Sequence, residues 1–319
     1  MKKIVVLDQK TLGNDIDISA FNNYGEVKIN SLTSPDNVEN EIKDAEIIIL
    51  NKIILNESNL KNAKNLKLIC LLATGYNNID TDYCKKRGIA VCNVAGYSTK
   101  SVAQHTLSMV LSLIENINFY DKYIKNGNYA KSDTPTFHGK PYFQLYQKTW
   151  GIIGLGDIGK EVANLAETFG CNIIYYSTSG KNVNNLYKSY SLNELLTKSD
   201  IISIHCPLNK DTENLITYKE FSKMKKNCII ANLARGKIIN ETDLAKALKE
   251  NLIKGACIDV FENEPVTENC PLLDKEIADK LIMTPHIAWA SIESRNSLIK
   301  KVCENIESFY NGEKLNRIV

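Results

Sequence analysis

Short runs of branched apolar residues recur along the chain: KIVVL (3–7), EVKI (26–29), EIIIL (46–50), LKLICLLA (66–73) and IAVCN (89–93). Most are apolar without alternation. That is the pattern of strands in a parallel sheet, whose two faces are both covered by helices. The spacers between them are long enough for crossover helices. A second series follows: TWGIIG (149–154), CNIIYY (171–176), DIISIH (200–205), NCIIANL (227–233), GACIDV (255–260) and KLIMTP (280–285). Two strand–helix series predict an α/β chain with two doubly wound parallel-sheet domains. Between them, SVAQHTLSMVLSLI (101–114) places Val102, Thr106, Met109, Val110 and Leu113 at helical spacing. The stretch after it, 125–148, is polar and rich in Gly, Pro and aromatic residues. It is too long for a passive linker. Two readings stand for it: an arm that packs on another subunit, and an ordered surface loop.

Composition narrows the class. The chain has 319 residues, 44% hydrophobic and 24% charged, which suits two packed domains. A net charge of +2 is too small to argue for a nucleic-acid or membrane partner. The nine cysteines are odd in number and none has C-x-x-C spacing. They read as small buried hydrophobes in a reducing compartment, and no metal-ligand pattern forms. The opening MKKIVVLDQK has too short an apolar run for a signal peptide, and no apolar stretch approaches a membrane span of roughly 20 residues. The expectation is a cytoplasmic protein.

The second series opens on a glycine motif. Gly154, Gly156 and Gly159 form G-x-G-x-x-G directly after a strand and at the start of a helical pattern. That is the context of a dinucleotide site. Gly154 permits the tight turn, Gly156 lets backbone approach a pyrophosphate, and Gly159 allows helix and strand to pack closely. The helix N-terminus, beginning at Asp157 and Ile158, presents free N–H groups and a positive dipole end. An acid is expected about 20 residues on, to hold the ribose 2′-OH. Ser177 stands there instead, followed by Thr178, Ser179, Gly180 and Lys181. A carboxylate would repel a 2′-phosphate, whereas hydroxyls and a lysine would not. The loop therefore accepts NAD(H) or NADP(H) and leans to NADP(H).

Three later strand ends carry ionisable side chains. Arg235 follows 227–233, Asp259 lies at the end of 255–260 with Glu262 and Glu264 after it, and His286 follows the last strand. Ligands of open α/β sheets bind beyond the carboxyl ends of the strands, so these residues can converge on one cleft. Each suits reduction of a 2-oxo acid. A guanidinium grips a carboxylate in two places. A histidine supplies the proton that the ketone oxygen needs near neutral pH. A carboxylate beside it favours the protonated ring.

Taken in order, GLGDIG, HCPLNKDT, NLARGKIINETDL, IDVFENEP and TPHIAWAS resemble the D-isomer-specific 2-hydroxyacid dehydrogenase family over essentially the whole chain. STSGKN and PHIAWAS look closest to its glycerate dehydrogenase and hydroxypyruvate reductase members. The resemblance implies a flavodoxin-like substrate domain (1–98 and 286–319) and a Rossmann cofactor domain (99–285), with helices near 101–114 and 291–310 as a hinge. It implies that Arg235 binds the substrate carboxylate, His286 is the acid–base and Glu264 pairs with it. Asp259 would hold the nicotinamide carboxamide. Leu233, Ala234, Thr99, Val102 and Ala288 would lie near the nicotinamide, and Cys206, Pro207 and Thr212 on the adenosine side. Backbone around Thr74 and Gly75 would hold the carboxylate, with Trp289 walling the pocket. Members are usually dimers through the cofactor domain, a role that the 125–148 arm fits.

The implied reaction is hydride transfer between NAD(P)H and a small 2-oxo acid, hydroxypyruvate or glyoxylate. Departures are Ser177 in place of the acid, Gln104 where many members carry a glutamate, and the additional His105 and His205. Two alternatives remain at this point: an NADH-sensing binding protein of the co-repressor type, and a phosphite-type dehydrogenase on the same fold.

Overall fold

The computed structural model describes residues 1–181 and 186–319; Asn182, the last residue of STSGKN, lies outside them. The chain forms two compact units, Met1–Ser98 with Ala290–Val319, and Thr99–Trp289.

In the first unit, strands β1 (Lys3–Val6), β2 (Glu26–Ile29), β3 (Ile47–Leu50), β4 (Leu68–Leu71) and β5 (Ala90–Cys92) make one sheet. Its order is β2-β1-β3-β4-β5, and every pair is parallel. This is the flavodoxin-like order. All positions of β3 and β4 are buried, as central parallel strands require. The edge strand β2 is half-exposed, which accounts for the polar Glu26 and Lys28 in EVKI. Helix Ile292–Tyr310, capped by the Ser291 side chain, returns to this unit and buries Leu298, Val302 and Ile306. Its buried Asn305 donates to Asn93 O at 2.9 Å.

In the second unit, β6 (Thr149–Ile153), β7 (Asn172–Tyr176), β8 (Lys188–Ser189), β9 (Ile201–Ile204), β10 (Ile229–Asn232), β11 (Gly255–Ile258) and β12 (Leu281–Met283) form the other sheet. The order is β12-β11-β10-β9-β6-β7-β8, again parallel throughout. This is the Rossmann order, with the direction of winding reversing between β6 and β9. Successive residues feed opposite faces. Ile202, Ile204, Ile230 and Ile258 join one core, and Ile201, Ile229, Ala231 and Cys257 the other. Trp150 is fully buried and donates its Nε1–H to Ser203 Oγ at 2.9 Å.

Helix Thr99–Glu115 buries Val102, Thr106, Met109, Val110 and Leu113, the stripe that its sequence spacing predicts. Two elements were not anticipated from pattern. The two-residue β8 is exposed and, among the described residues, pairs only with β7. Helix Ile117–Lys125 buries no residue within the chain. The second unit runs through Trp289, and the chain re-enters the first at Ala290. Residues 286–288 stay with the second unit because their amides bond to Asp259.

Candidate active site

The glycine turn after β6 is shaped by contacts that leave no room for side chains. Gly154 sits at φ +92°, and a Cβ there would meet Cys206 N at 2.7 Å. A Cβ on Gly159 would lie 2.3 Å from Gly154 O. Gly156, the N-cap of helix Asp157–Thr168, is different: nothing lies within 4 Å of its Cβ position. Two glycines thus close the turn while the third faces open space over the helix N-terminus, as a bound diphosphate requires. At the end of β7, Ser177 Oγ is buried and has no hydrogen-bond partner among the described residues. An orphaned hydroxyl beside an open N-terminal cradle fits a ribose or its phosphate. Thr178, Lys181 and the left-handed Gly180 complete this loop.

At the ends of β10, β11 and β12, a network assembles the ionisable groups. Asn232, buried in the last position of β10, donates to Arg235 O at 2.9 Å and accepts from Ala234 N at 3.1 Å. This folds the turn that carries Arg235. Leu233 of the same turn is anchored in the core. Asp259 is 1% exposed, and its carboxylate builds the loop after β12. Oδ1 accepts from Thr284 Oγ1 at 2.6 Å and Ile287 N at 2.9 Å, and Oδ2 accepts from Ala288 N at 3.0 Å. Among the described residues, two donors fill Oδ1 and one reaches Oδ2. His286 N donates to Asp259 O at 2.8 Å, and His286 is held at φ +55°, a left-handed backbone unusual for a non-glycine residue. Its Nδ1 lies 2.6 Å from Glu264 Oε2, while Glu264 Oε1 accepts from Phe261 N at 3.1 Å. The imidazole is 21% and the carboxylate 32% exposed, so the pair is reachable but sheltered. Strain at His286 is sustained by this surrounding network.

The other predicted residues sort by placement. Ala288 is buried; its carbonyl accepts from Ser101 Oγ at 2.6 Å. Trp289 donates its Nε1–H to His286 O at 2.9 Å, which ties the indole to the histidine loop. Thr99 opens helix Thr99–Glu115, and Val102 packs its side chain into the core. Cys206 is buried against the glycine turn, and burial pushes its thiol up to about 12, so it brings no nucleophile. Pro207 is exposed beside it. Thr212 is fully buried; its hydroxyl donates to Pro207 O at 2.7 Å and accepts from Asn209 N at 2.8 Å. These two bonds shape the 207–212 loop. Thr74 and Gly75 belong to the first unit, after β4, where Thr74 Oγ1 donates to Val94 O at 2.8 Å. His105 Nε2 lies 3.1 Å from Thr284 Oγ1 and supports Asp259 through it. Burial lowers His205 to about 3, and neither ring nitrogen has a hydrogen-bond partner among the described residues. Sequence reasoning passed over Asn232 and Thr284; a polar residue closing an apolar strand was the available signal for both.

A family model described as "D-isomer specific 2-hydroxyacid dehydrogenase, NAD binding domain" matches residues 107–288. The chain belongs to the D-isomer-specific 2-hydroxyacid dehydrogenases. It is 34% identical to a glycerate dehydrogenase of Methylorubrum extorquens over 316 residues, covering 99% of this chain and 98% of that one. It is 34% identical over 322 residues to a hydroxypyruvate reductase of Blautia hydrogenotrophica, with 98% of each covered. Among solved structures it resembles the acyclic imino acid reductase Bsp5 in complex with NADPH and D-Arg, with TM-score 0.87, 28% identity, and 99% and 100% of the two chains covered. As a member of this dehydrogenase family the chain is an oxidoreductase acting on CH–OH donors, moving a hydride between NAD(P)H and a 2-oxo acid. Neither the sensor nor the phosphite alternative is favoured by these relatives. No helix among the described residues is long and apolar enough to cross a membrane.

Proposed function

We propose that the protein reduces hydroxypyruvate to D-glycerate, or glyoxylate to glycolate, with Arg235, Glu264 and His286 as its catalytic residues. The carrying observation is the 2.6 Å Glu264–His286 pair, on a loop that Asp259 holds in a left-handed backbone. The relatives named glycerate dehydrogenase and hydroxypyruvate reductase support the substrate class. In this reading the first unit holds substrate, with the Thr74–Gly75 backbone taking part of the carboxylate, and the second holds the cofactor.

Arg235 orients the 2-oxo acid through its carboxylate. Glu264 engages His286 Nδ1, which makes Nε2 the nitrogen that gives its proton to the carbonyl oxygen. The same nitrogen takes the proton back in the oxidative direction. A reduced nicotinamide supplies the hydride when bound. Asp259 Oδ2, reached by one donor among the described residues, suits a carboxamide N–H.

Ser177, whose buried hydroxyl has no hydrogen-bond partner among the described residues and which has no acid next to it in sequence, supports use of NADPH over NADH. Nine free cysteines support a reducing, cytoplasmic setting. The exposed side chains Ile117, Ile124, Tyr142 and Tyr146, on and after a helix that buries nothing, support a homodimer through the second unit. Within that segment Tyr123 and Phe137 stack at 4.0 Å, so the arm is preformed.

The test is initial rates with hydroxypyruvate and glyoxylate, each run with NADPH and NADH. Turnover with these acids supports the reading, and a lower KM for NADPH supports the Ser177 argument. Turnover with neither acid would sink the substrate assignment.

A further inference from the structure

Glu241 is a buried carboxylate that the mechanism above does not use. It is 8% exposed, at the start of helix Glu241–Lys249, six residues beyond Arg235. Its environment is unusual. Glu241 Oε1 accepts from Glu262 N at 2.7 Å, and Glu262 Oε1 accepts from Glu241 N at 3.1 Å. The two residues bond reciprocally, each carboxylate to the other's amide. Cys270 Sγ adds a weak donor to Glu241 Oε2 at 3.6 Å. Burial pushes the Glu241 carboxyl up, and the Glu262 and Glu264 charges beside it act in the same direction. Two like charges held so close are costly without a compensating purpose.

The two segments joined by this lock carry the catalytic groups. On one side, Arg235 leads through Gly236 to Glu241. On the other, Phe261 and Glu262 lead to Glu264, which holds His286. They also touch at Gly236, where a Cβ would fall 1.9 Å from the carbonyl carbon of Phe261. One close backbone contact fixes a distance but leaves the segments free to pivot. The paired carboxylate–amide bonds supply the second point that fixes orientation.

We propose that Glu241 is a positioning residue: through its reciprocal bonds with Glu262 it sets Arg235 in register with the Glu264–His286 pair. This rests on the catalytic roles assigned above. Only the Oε1 acceptor is required, so glutamine at 241 should serve nearly as well, and alanine should not.

The experiment compares Glu241→Ala, Glu241→Gln, Glu262→Ala and the double alanine variant with the unaltered chain, using hydroxypyruvate and NADPH. Glu241→Ala is expected to lower kcat/KM for the oxo acid roughly 10- to 100-fold, the scale of a misplaced reacting pair. The cofactor Kd, followed by NADPH fluorescence, should stay within about twofold. Glu241→Gln should recover to within about threefold. Glu262→Ala should reproduce the defect without emptying the buried position, and the double variant should be little worse than either single one. The proposal is overturned if Glu241→Ala keeps activity within about threefold, if Gln and Ala are equally impaired, or if cofactor affinity falls by the same factor as turnover. His286→Ala is the control. If it leaves turnover intact the assigned roles fail, whereas its collapse beside an active Glu241→Ala removes the lock alone.

Discussion

Each unit buries one aspartate at the carboxyl end of a strand, and the two are used alike. Asp8 follows β1 in the first unit, fully buried. It accepts from Asn51 N at 2.9 Å and Lys52 N at 2.6 Å, folding the loop after β3. Asp259 follows β11 in the second unit and accepts from Thr284, Ile287 and Ala288. The difference is what each loop carries. The Asp8 loop anchors Asn78, whose Nδ2 donates to Ile53 O at 2.8 Å, whereas the Asp259 loop carries His286 in a left-handed backbone. One device, a buried carboxylate held by neighbouring backbone amides, orders a loop in one unit and the His286 loop in the other.

The sharpest way to break this comparison is Asp259→Asn. The amide would present N–H to backbone N–H groups, and the His286 loop would lose its anchor. We expect kcat/KM for the oxo acid to fall about 100-fold or more. Steady-state kinetics check this. An Asp8→Asn chain should instead lose about 1–3 kcal/mol of stability, measured by denaturant midpoint, while keeping its NADPH affinity. Equal losses of turnover in the two variants, at matched stability, would void the distinction.

The pH dependence sharpens it further. Burial raises the Asp8 carboxyl above its ordinary 3.8, against the lowering effect of the amides it accepts. A group raised on folding contributes most below its unfolded value. The stability of the natural chain relative to Asp8→Asn should therefore decline as pH rises from about 4 through the raised pKa. His205 works in the opposite sense. Its folded value of about 3 lies below the ordinary 6.5, so the unfolded chain binds the proton first. Stability should fall as pH drops from 6.5 toward about 3, and His205→Phe should flatten that limb in acid titrations of the unfolding midpoint. The smallest expected effect is at the cofactor loop. Ser177→Asp should shift the KM ratio toward NADH by about tenfold, because a carboxylate repels a 2′-phosphate; an unchanged ratio would remove Ser177 from that choice.

Much of this architecture was legible in the residues. Apolar runs located eleven of the strands, most of them unbroken because a parallel strand buried on both faces must be apolar at nearly every position; the exposed edge strand β2, with Glu26 and Lys28, is the exception. The exposed β8 and helix Ile117–Lys125 escaped, since neither buries a stripe within the chain that a pattern could register. The glycines of the cofactor turn were also readable, since they mark places where backbone must meet backbone, and two of them do. Arg235, Glu264 and His286 were readable as ionisable side chains following strand ends.

Tertiary structure decided how those groups are held. That Asp259 spends its carboxylate on the His286 loop, and that Glu241 and Glu262 bond each other's amides, are pairings between residues distant in sequence. Sequence fixes which groups are present and which strands bury them, because burial is a property of each segment's own pattern. Hydrogen bonds between loops depend on where folding brings their ends, and that is set only when the sheet has closed.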